Sequence, residues 1–172
     1  MPSLLREQDI LPFVAREQID LIEQLNKKIK LFEEKVLEKA KLKPAYKGLL
    51  TMPGVGRILA LTIMLETGEI ARFAKVGNFT SYCRCVRAKR SSNGKSKGSN
   101  NRKNGNKYLA WAFVEAAHHA MGCCPRAKAF YDHKKAHRNG ALATKSLAAK
   151  WAKAAYYVMK RQENFDLKRV FG

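Results

Sequence analysis

The first quarter of the chain carries apolar residues at a regular helical spacing. Five of them recur at steps of three and four residues: Ile22, Leu25, Ile29, Phe32 and Val36. Glu and Lys fill most positions between them, which is typical of the a/d seam of a coiled coil. Pro12 and Pro44 bracket the pattern. It therefore predicts one coiled-coil-like helix of about 30 residues within 13–43, roughly 45 Å long.

A single helix with such a seam exposes its apolar side chains unless a partner covers them. The partner is either the second half of an antiparallel hairpin from outside this chain, or the same helix of another protomer. Pairing of two copies is the simpler interpretation and predicts a homo-oligomer through residues 13–43. The alternative is an ordinary helix that turns its apolar face toward a core.

Residues 45–68, "AYKGLLTMPGVGRILALTIMLETG", are predicted to form two short apolar helices joined by Pro53, Gly54, Val55 and Gly56. Small residues between apolar helices are typical of a helix-hairpin-helix. In such a unit, glycines let backbone N–H groups at the start of the second helix approach a phosphate without reading bases. The alternative is a plain Pro-Gly connection between packed helices.

The rest of the chain shows no period-two alternation and is predicted to be helical. Phe73, Phe79 and Tyr82 are expected to anchor the core, and "RAKAFYDHKKAH" and "TKSLAAKWAKAAYYVMKRQ" form two of the predicted helices. The segment "KYLAWAFVEAAHHAMGC" places apolar residues on one helical face: Leu109, Phe113, Ala116, Ala117 and Ala120. We therefore predict an all-α fold, with a coiled-coil-like helix at 1–43 and a compact helical domain at 44–172.

The charge of the chain changes this picture, because it is strongly positive and unevenly distributed. The net charge is +20 at pH 7. Residues 1–43 contain nine Lys or Arg and eight Asp or Glu, whereas residues 44–172 contain 25 basic and six acidic residues. No acidic residue occurs between Glu69 and Glu115. This bias predicts a nucleic acid as the partner, since ordinary solvated surfaces mix both signs.

Several other classes of protein are disfavoured. No apolar run reaches the ~20 residues that cross a bilayer, and Arg6, Glu7 and Asp9 interrupt the stretch where a secretory signal would be apolar. We therefore expect a cytoplasmic protein without membrane association. The cysteines occur as C-x-C and C-C, which does not match zinc-binding spacing. The acidic residues of the basic part show no pair suited to a two-metal nuclease.

The most basic stretch, "KRSSNGKSKGSNNRKNGNKYL", runs from Lys89 to Leu109. Serine attack on a phosphodiester requires a hydroxyl in line with phosphorus and positive charge near the non-bridging oxygens. The stretch supplies serines and cations but neither a base nor a metal. On spacing alone, a loop that only binds phosphates is therefore favoured over a catalytic serine. The residues expected to contact nucleic acid are Arg90, Asn93, Gly94, Lys95, Lys97, Arg102 and Lys103.

Three segments carry a family resemblance: "TMPGVGRILALTIMLETGEIARFAKVGNFTSYCRCV", "SNGKSKGSNNRKNGNKYLAWAFVEAAHHA" and "FYDHKKAHRNGALATKSLAAKWAKAAYYVM". Together they span about residues 46–160. They resemble the C-terminal half of DEDD-class insertion-sequence transposases of the IS-one-ten and IS-eleven-eleven group, which are related to Piv-type DNA invertases. The C-R-C form of the segment before the serine looks like the IS-eleven-eleven branch.

The resemblance implies a reaction and its components. A complete family member joins an N-terminal RuvC-like domain with four acidic residues to a coiled coil and a helical domain that bears a nucleophilic serine. This implies DNA strand cleavage and rejoining through a phosphoserine during transposition, guided by a structured RNA, with Mg²⁺ held by the acidic domain. The family serine falls on Ser92, with Ser91 as the less favoured neighbour.

The sequence departs from the family in one respect. Residues 1–43 carry no strand-borne acidic quartet, so we expect the RuvC-like domain to be absent, no cofactor in this chain, and Mg²⁺ only from that missing domain. The isolated chain is then expected to bind DNA and guide RNA without recombining DNA. One alternative is a non-catalytic nucleic-acid-binding protein that regulates by pairing with full-length transposase. A weaker alternative is a basic helical protein that associates with structured RNA.

Overall fold

A computed structural model of the chain describes residues 7–41, 43–86, 89–92, 95–99, 104–137 and 139–172. For residues 7–9, 89–92 and 95–99 only the backbone is described. The chain divides into two compact units, Met1–Ala40 and Lys41–Gly172. Among the described residues, no helix combines the length and the apolarity that a bilayer crossing requires.

The first unit contains one long helix, α1 (Glu7–Ala40), as the seam predicted. The helix does not begin after Pro12, however, because Pro12 lies inside it. Proline lacks the N–H group that would bond to the carbonyl of the fourth residue before it. The helix therefore loses one hydrogen bond near its N-terminus but continues through Pro12. The seam residues are all exposed, from 37% for Val36 to 66% for Phe32.

The second unit is a helical domain organised around one central helix. The central helix is α7 (Gly140–Arg161), which packs against α2, α4, α5 and α6. The elements before it are α2 (Pro44–Leu50), α3 (Arg57–Thr67), a 3₁₀ turn (Ile70–Arg72), α4 (Val76–Tyr82), strands β1 (Lys89–Ser92) and β2 (Lys95–Ser99), α5 (Lys107–Cys123) and α6 (Pro125–His137); α8 (Leu167–Phe171) follows it.

The core of this domain lies where α4, α5 and α7 meet. Phe79 is fully buried, and its ring centroid lies 5.2 Å from that of Phe73, 6.1 Å from that of Phe113 and 5.9 Å from that of Tyr156. The predicted buried face of α5 is confirmed, since every member is fully buried: Leu109, Phe113, Ala116, Ala117 and Ala120. Three alanines on this face let neighbouring backbones approach closely.

The fold is all-α as predicted, with one addition that the hydrophobic pattern did not predict. Strands β1 and β2 form an antiparallel hairpin in which Ser92 pairs with Lys95 and Ser91 with Ser96. The pairing is irregular between Lys89 and Ser91. Serine, lysine and glycine make up most of these strands, so no apolar alternation marks them in the sequence.

Candidate nucleic-acid interface

The basic hairpin is closed at its base by hydrogen bonds between the chain segments that enter and leave it. The Asn106 N–H group donates to the Tyr82 carbonyl at 2.7 Å. The Arg84 guanidinium donates to the Gly105 carbonyl through Nε at 3.1 Å and through a terminal nitrogen at 2.8 Å. Gly105 has φ +95°, and a Cβ there would overlap the Tyr82 carbonyl oxygen. Only glycine fits this crossing point without strain.

The Asn106 side chain adds a second set of bonds at the same place. Its Oδ1 accepts from the N–H groups of Tyr108 at 2.8 Å and Leu109 at 3.0 Å, which caps α5. Its Nδ2 donates to the Glu66 carboxylate on α3 at 2.6 Å. We call Glu66, Tyr82, Arg84, Gly105 and Asn106 the loop clamp. An asparagine directly before an apolar helical segment is a cap signal. No sequence pattern predicts the hydrogen bond to Glu66, which lies 40 residues before Asn106.

An arginine lies against the aromatic ring of the loop clamp. The Arg72 guanidinium carbon lies 4.8 Å from the centroid of the Tyr82 ring and 4.6 Å from that of Phe73. The hydrogen bond from Asn106, followed by that from Arg72, lowers the pKa of the Tyr82 phenol below its ordinary value. Both donors stabilise the phenolate more than the phenol. Together with the charge of Arg72, these bonds outweigh the burial of the phenol and the nearby Glu66 carboxylate, both of which raise its pKa.

The structure brings together the backbone positions of four predicted site residues. Arg90 and Ser92 lie on β1, and Lys95 and Lys97 lie on β2. Ser92 ends its strand and pairs with Lys95, so their Cα atoms are adjacent across the ladder. The remaining predicted residues of the loop lie outside the described residues: Asn93, Gly94, Arg102 and Lys103.

The predicted helix-hairpin-helix segment joins α2 to α3, and most of it is packed against other helices. Gly54 has φ +79°, and a Cβ there would lie 2.5 Å from both the Ala116 carbonyl oxygen and the Ala120 nitrogen on α5. The Pro53 carbonyl accepts a hydrogen bond of 2.9 Å from the Trp151 indole, and Val55 is buried. These contacts give Gly54 and its neighbours a role in packing, in line with the alternative of a plain Pro-Gly connection between packed helices.

The last residue of this connection is the one open to solvent. Gly56 is the N-cap of α3, and no side chain caps this helix end. Gly56 and the next two residues are exposed, and a Cβ on Gly56 would meet nothing within 4 Å. The first turn of α3, with the positive end of the helix dipole, is therefore accessible to an anion.

Comparison with known protein families gives a match over half of the chain. A family model described as "Transposase IS116/IS110/IS902 family" matches residues 46–132, half of the chain. The chain belongs to this transposase family. The resemblance to the IS-one-ten group is thereby confirmed, and membership implies a transposase role and DNA as a partner. No curated protein matches the chain in sequence. The matched segment of the transposase includes the connection Pro53–Gly56, the hairpin and the loop clamp.

The described part of this transposase does not offer a site for the Mg²⁺ that the family resemblance implies. Within those residues, no three His, Cys, Asp or Glu side chains come close enough to hold a metal ion. Glu66, which lies at the hairpin base, accepts a hydrogen bond from Asn106. Cys83 and Cys85 are buried and free. Burial raises the pKa of the Cys85 thiol to about 12 and that of Cys83 further. Both thiols are enclosed by the helical domain and contribute to its packing.

Proposed function

We propose that this chain is the serine-bearing, nucleic-acid-binding part of a transposase. The basic hairpin and the residues that flank it, 87–103, bind the sugar-phosphate backbone of a DNA strand, and Ser92 is the nucleophile. The observation that carries the proposal is the loop clamp, which fixes both ends of a stretch that contains no carboxylate. A loop held in this way presents its cations to a phosphate at low entropic cost.

The proposed reaction is a transesterification at phosphorus. The Ser92 hydroxyl oxygen forms a bond to phosphorus, and the bond from phosphorus to one DNA strand end breaks. The serine proton finishes on the leaving oxygen, so the released strand carries a free hydroxyl group. The number of phosphoester bonds is unchanged, and the reverse step can therefore rejoin DNA without another energy source. Nearby cations such as Arg90 and Lys95 would stabilise charge on the non-bridging oxygens.

This chain is assigned only part of the complete reaction. The chain supplies the nucleophile and the contacts with the backbone, and cleavage requires an acidic domain in addition. The open first turn of α3 provides a second backbone contact through Gly56. Residues 44–172, with 25 basic and six acidic side chains, carry enough positive charge for both DNA and a structured guide RNA.

The exposed seam of α1 supports a further element of the proposal, which is pairing of two copies. The five seam side chains are between 37% and 66% exposed, and a left-handed pair of helices would bury them in one continuous stripe. The mixed Glu and Lys residues that flank the seam suit contacts between two identical helices. Transposition acts on more than one DNA end, which two copies of the serine would serve.

Two measurements test the proposal. Binding to duplex DNA should weaken with salt, with log K falling by about 0.9 per phosphate contacted for each unit of log[salt]; a flat salt response would contradict the phosphate contacts. A covalent protein–DNA product should form when the RuvC-like domain of a family member and Mg²⁺ are supplied. Ser92→Ala should abolish this product, and the matched control Ser91→Ala should retain it. The reverse pattern would show that the nucleophile is misassigned.

The exposed seam also favours a second candidate function. A chain that lacks catalytic activity but pairs through α1 would form mixed dimers with full-length transposase and act as a regulator. Co-expression separates the two functions. A regulator would lower transposition by a full-length family member, and the Ser92→Ala variant would lower it to the same extent as the wild type. If the chain is instead a catalytic subunit, its contribution to transposition should disappear in the Ser92→Ala variant.

A further inference from the structure

The start of α5 presents two large aromatic side chains to solvent. Tyr108 is 52% exposed and Trp111 is 48% exposed. The other tryptophan of the chain, Trp151, is fully buried and donates a hydrogen bond through its indole. A single exposed ring is common, but two exposed rings on one helical turn form an apolar surface that a flat partner can cover.

The helix places these rings beside the base of the basic hairpin. Tyr108 and Trp111 are three residues apart, and Lys107 and Trp111 are four apart, so all three lie on one face. The Cα–Cβ bonds of a helix tilt toward its N-terminus, which is the end where Gly105 and Asn106 of the loop clamp hold the hairpin. The Lys107 ammonium lies 4.9 Å from the centroid of the Tyr108 ring.

The charge and size of this face favour a nucleic acid over a protein. A stable protein–protein interface buries about 1,200–2,000 Å², far more than two side chains of one helical turn provide. Lys107 borders the rings, and the sequence contains no acidic residue between Glu69 and Glu115. Glu115 is half-buried one turn further along the face, and His118 is exposed beyond it. A flat ring beside cations is suited to a nucleobase attached to a phosphate backbone.

We infer that Tyr108 and Trp111 form a stacking platform for an unpaired nucleobase of the strand whose phosphates the hairpin holds. The base must be unpaired and unstacked, because in a duplex both faces of a base are covered by its neighbours. Lys107 contacts the phosphate next to the stacked base. The inference rests on the proposed function, and it adds a preference for single-stranded or distorted nucleic acid that the hairpin cations alone would not produce.

Intrinsic tryptophan fluorescence tests the platform directly. The full chain is titrated with an oligothymidylate of about 12 nucleotides and, separately, with a duplex of the same length. The oligothymidylate should quench Trp111 emission, and the duplex should bind with little quenching. The Trp111→Phe variant should bind the oligothymidylate without quenching, because the remaining tryptophan, Trp151, is buried.

Affinity measurements supply a second readout. Trp111→Ala should weaken oligothymidylate binding about 5- to 150-fold, which corresponds to ~1–3 kcal/mol per stacked base. Its affinity for the duplex should stay within about twofold of the wild type. The matched control is Tyr157→Ala, which removes an aromatic ring of similar exposure, 41%, from α7. It should leave oligothymidylate affinity within about twofold.

The possible outcomes separate the platform from the proposed function. If both ligands bind with a steep salt dependence but Trp111→Ala changes neither affinity, stacking is refuted and the phosphate contacts stand. If Trp111→Ala weakens single-strand and duplex binding equally, the residue does not select unpaired bases and the inference is also refuted. If it changes only self-association, the face is a protein interface. If neither ligand binds the wild type, the proposed function itself fails.

Discussion

The Gly54→Ala substitution tests whether the connection between α2 and α3 serves packing or phosphate binding. In Gly54→Ala, the new Cβ would lie 2.5 Å from the Ala116 carbonyl oxygen and from the Ala120 nitrogen. Both atoms belong to the backbone of the buried helix α5, so neither can rotate away. The residue also has φ +79°, which costs an L-amino acid about 1–2 kcal/mol. Overpacking in a core adds about 1–3 kcal/mol.

The sum is a loss of about 2–5 kcal/mol of unfolding free energy, a large share of the ~5–15 kcal/mol of a typical domain. For a domain of this size, each kcal/mol lowers the melting temperature by about 3–5 °C. Thermal unfolding followed by circular dichroism should therefore show a midpoint about 6–25 °C below that of the wild type. A midpoint within about 2 °C of the wild type would refute the packing argument.

The neighbouring glycine provides the matched control. Gly56 has an ordinary φ of −83°, and its added Cβ would meet no atom within 4 Å. Gly56→Ala should therefore melt within about 2 °C of the wild type. Because Gly56 opens the first turn of α3 to an anion, the same variant should weaken DNA binding while it leaves stability unchanged. Unchanged DNA affinity in Gly56→Ala would show that this helix end makes no phosphate contact.

Three further predictions concern other parts of the chain. Replacing Leu25 and Phe32 with lysine should convert a dimer into a monomer in light scattering, whereas Lys30→Ala should not; a wild type that is monomeric at all concentrations would contradict pairing through α1. The Tyr82 phenol should titrate below its ordinary pKa in phenolate absorbance, and Asn106→Ala should raise that pKa, because the hydrogen bond from Asn106 is the largest cause of the shift. At about pH 8, Cys123 should react rapidly with a thiol reagent, whereas Cys83 and Cys85 should react only on unfolding; rapid reaction of the buried pair would contradict their burial.

The parts of this fold that were predictable from sequence are those with local periodicity. The α1 seam and the buried face of α5 repeat at helical spacing, and side-chain burial follows that spacing directly. Pro12 was misinterpreted as the start of α1 because a proline near a helix end costs too little to exclude it from the helix. The β1–β2 hairpin was not predicted, because a strand pair of serine and lysine carries no apolar signal.

The candidate site was predictable only in part, for a different reason. Charge and family resemblance drew attention to the stretch around Ser92, since both are properties of consecutive residues. The loop clamp depends on polar contacts between distant segments, such as Glu66 with Asn106, and on a backbone crossing at Gly105. Gly54 shows the same limit, because its partner is a helix about 60 residues later. No local sequence pattern identifies the distant atom that a side chain in place of the glycine would clash with.

The loop clamp has a consequence for how this family can vary. Because the bonds at Tyr82, Arg84 and Asn106 already bring the two ends of the segment together, extra residues between them add only the entropy of a longer closed ring. That entropy grows with the logarithm of the ring size, and doubling the number of residues costs about 0.6 kcal/mol. Insertions and deletions after the buried Cys85 and before Gly105 should therefore be nearly neutral for folding. A transposon lineage can lengthen or shorten this segment to suit a new target while the helices beneath it stay unchanged.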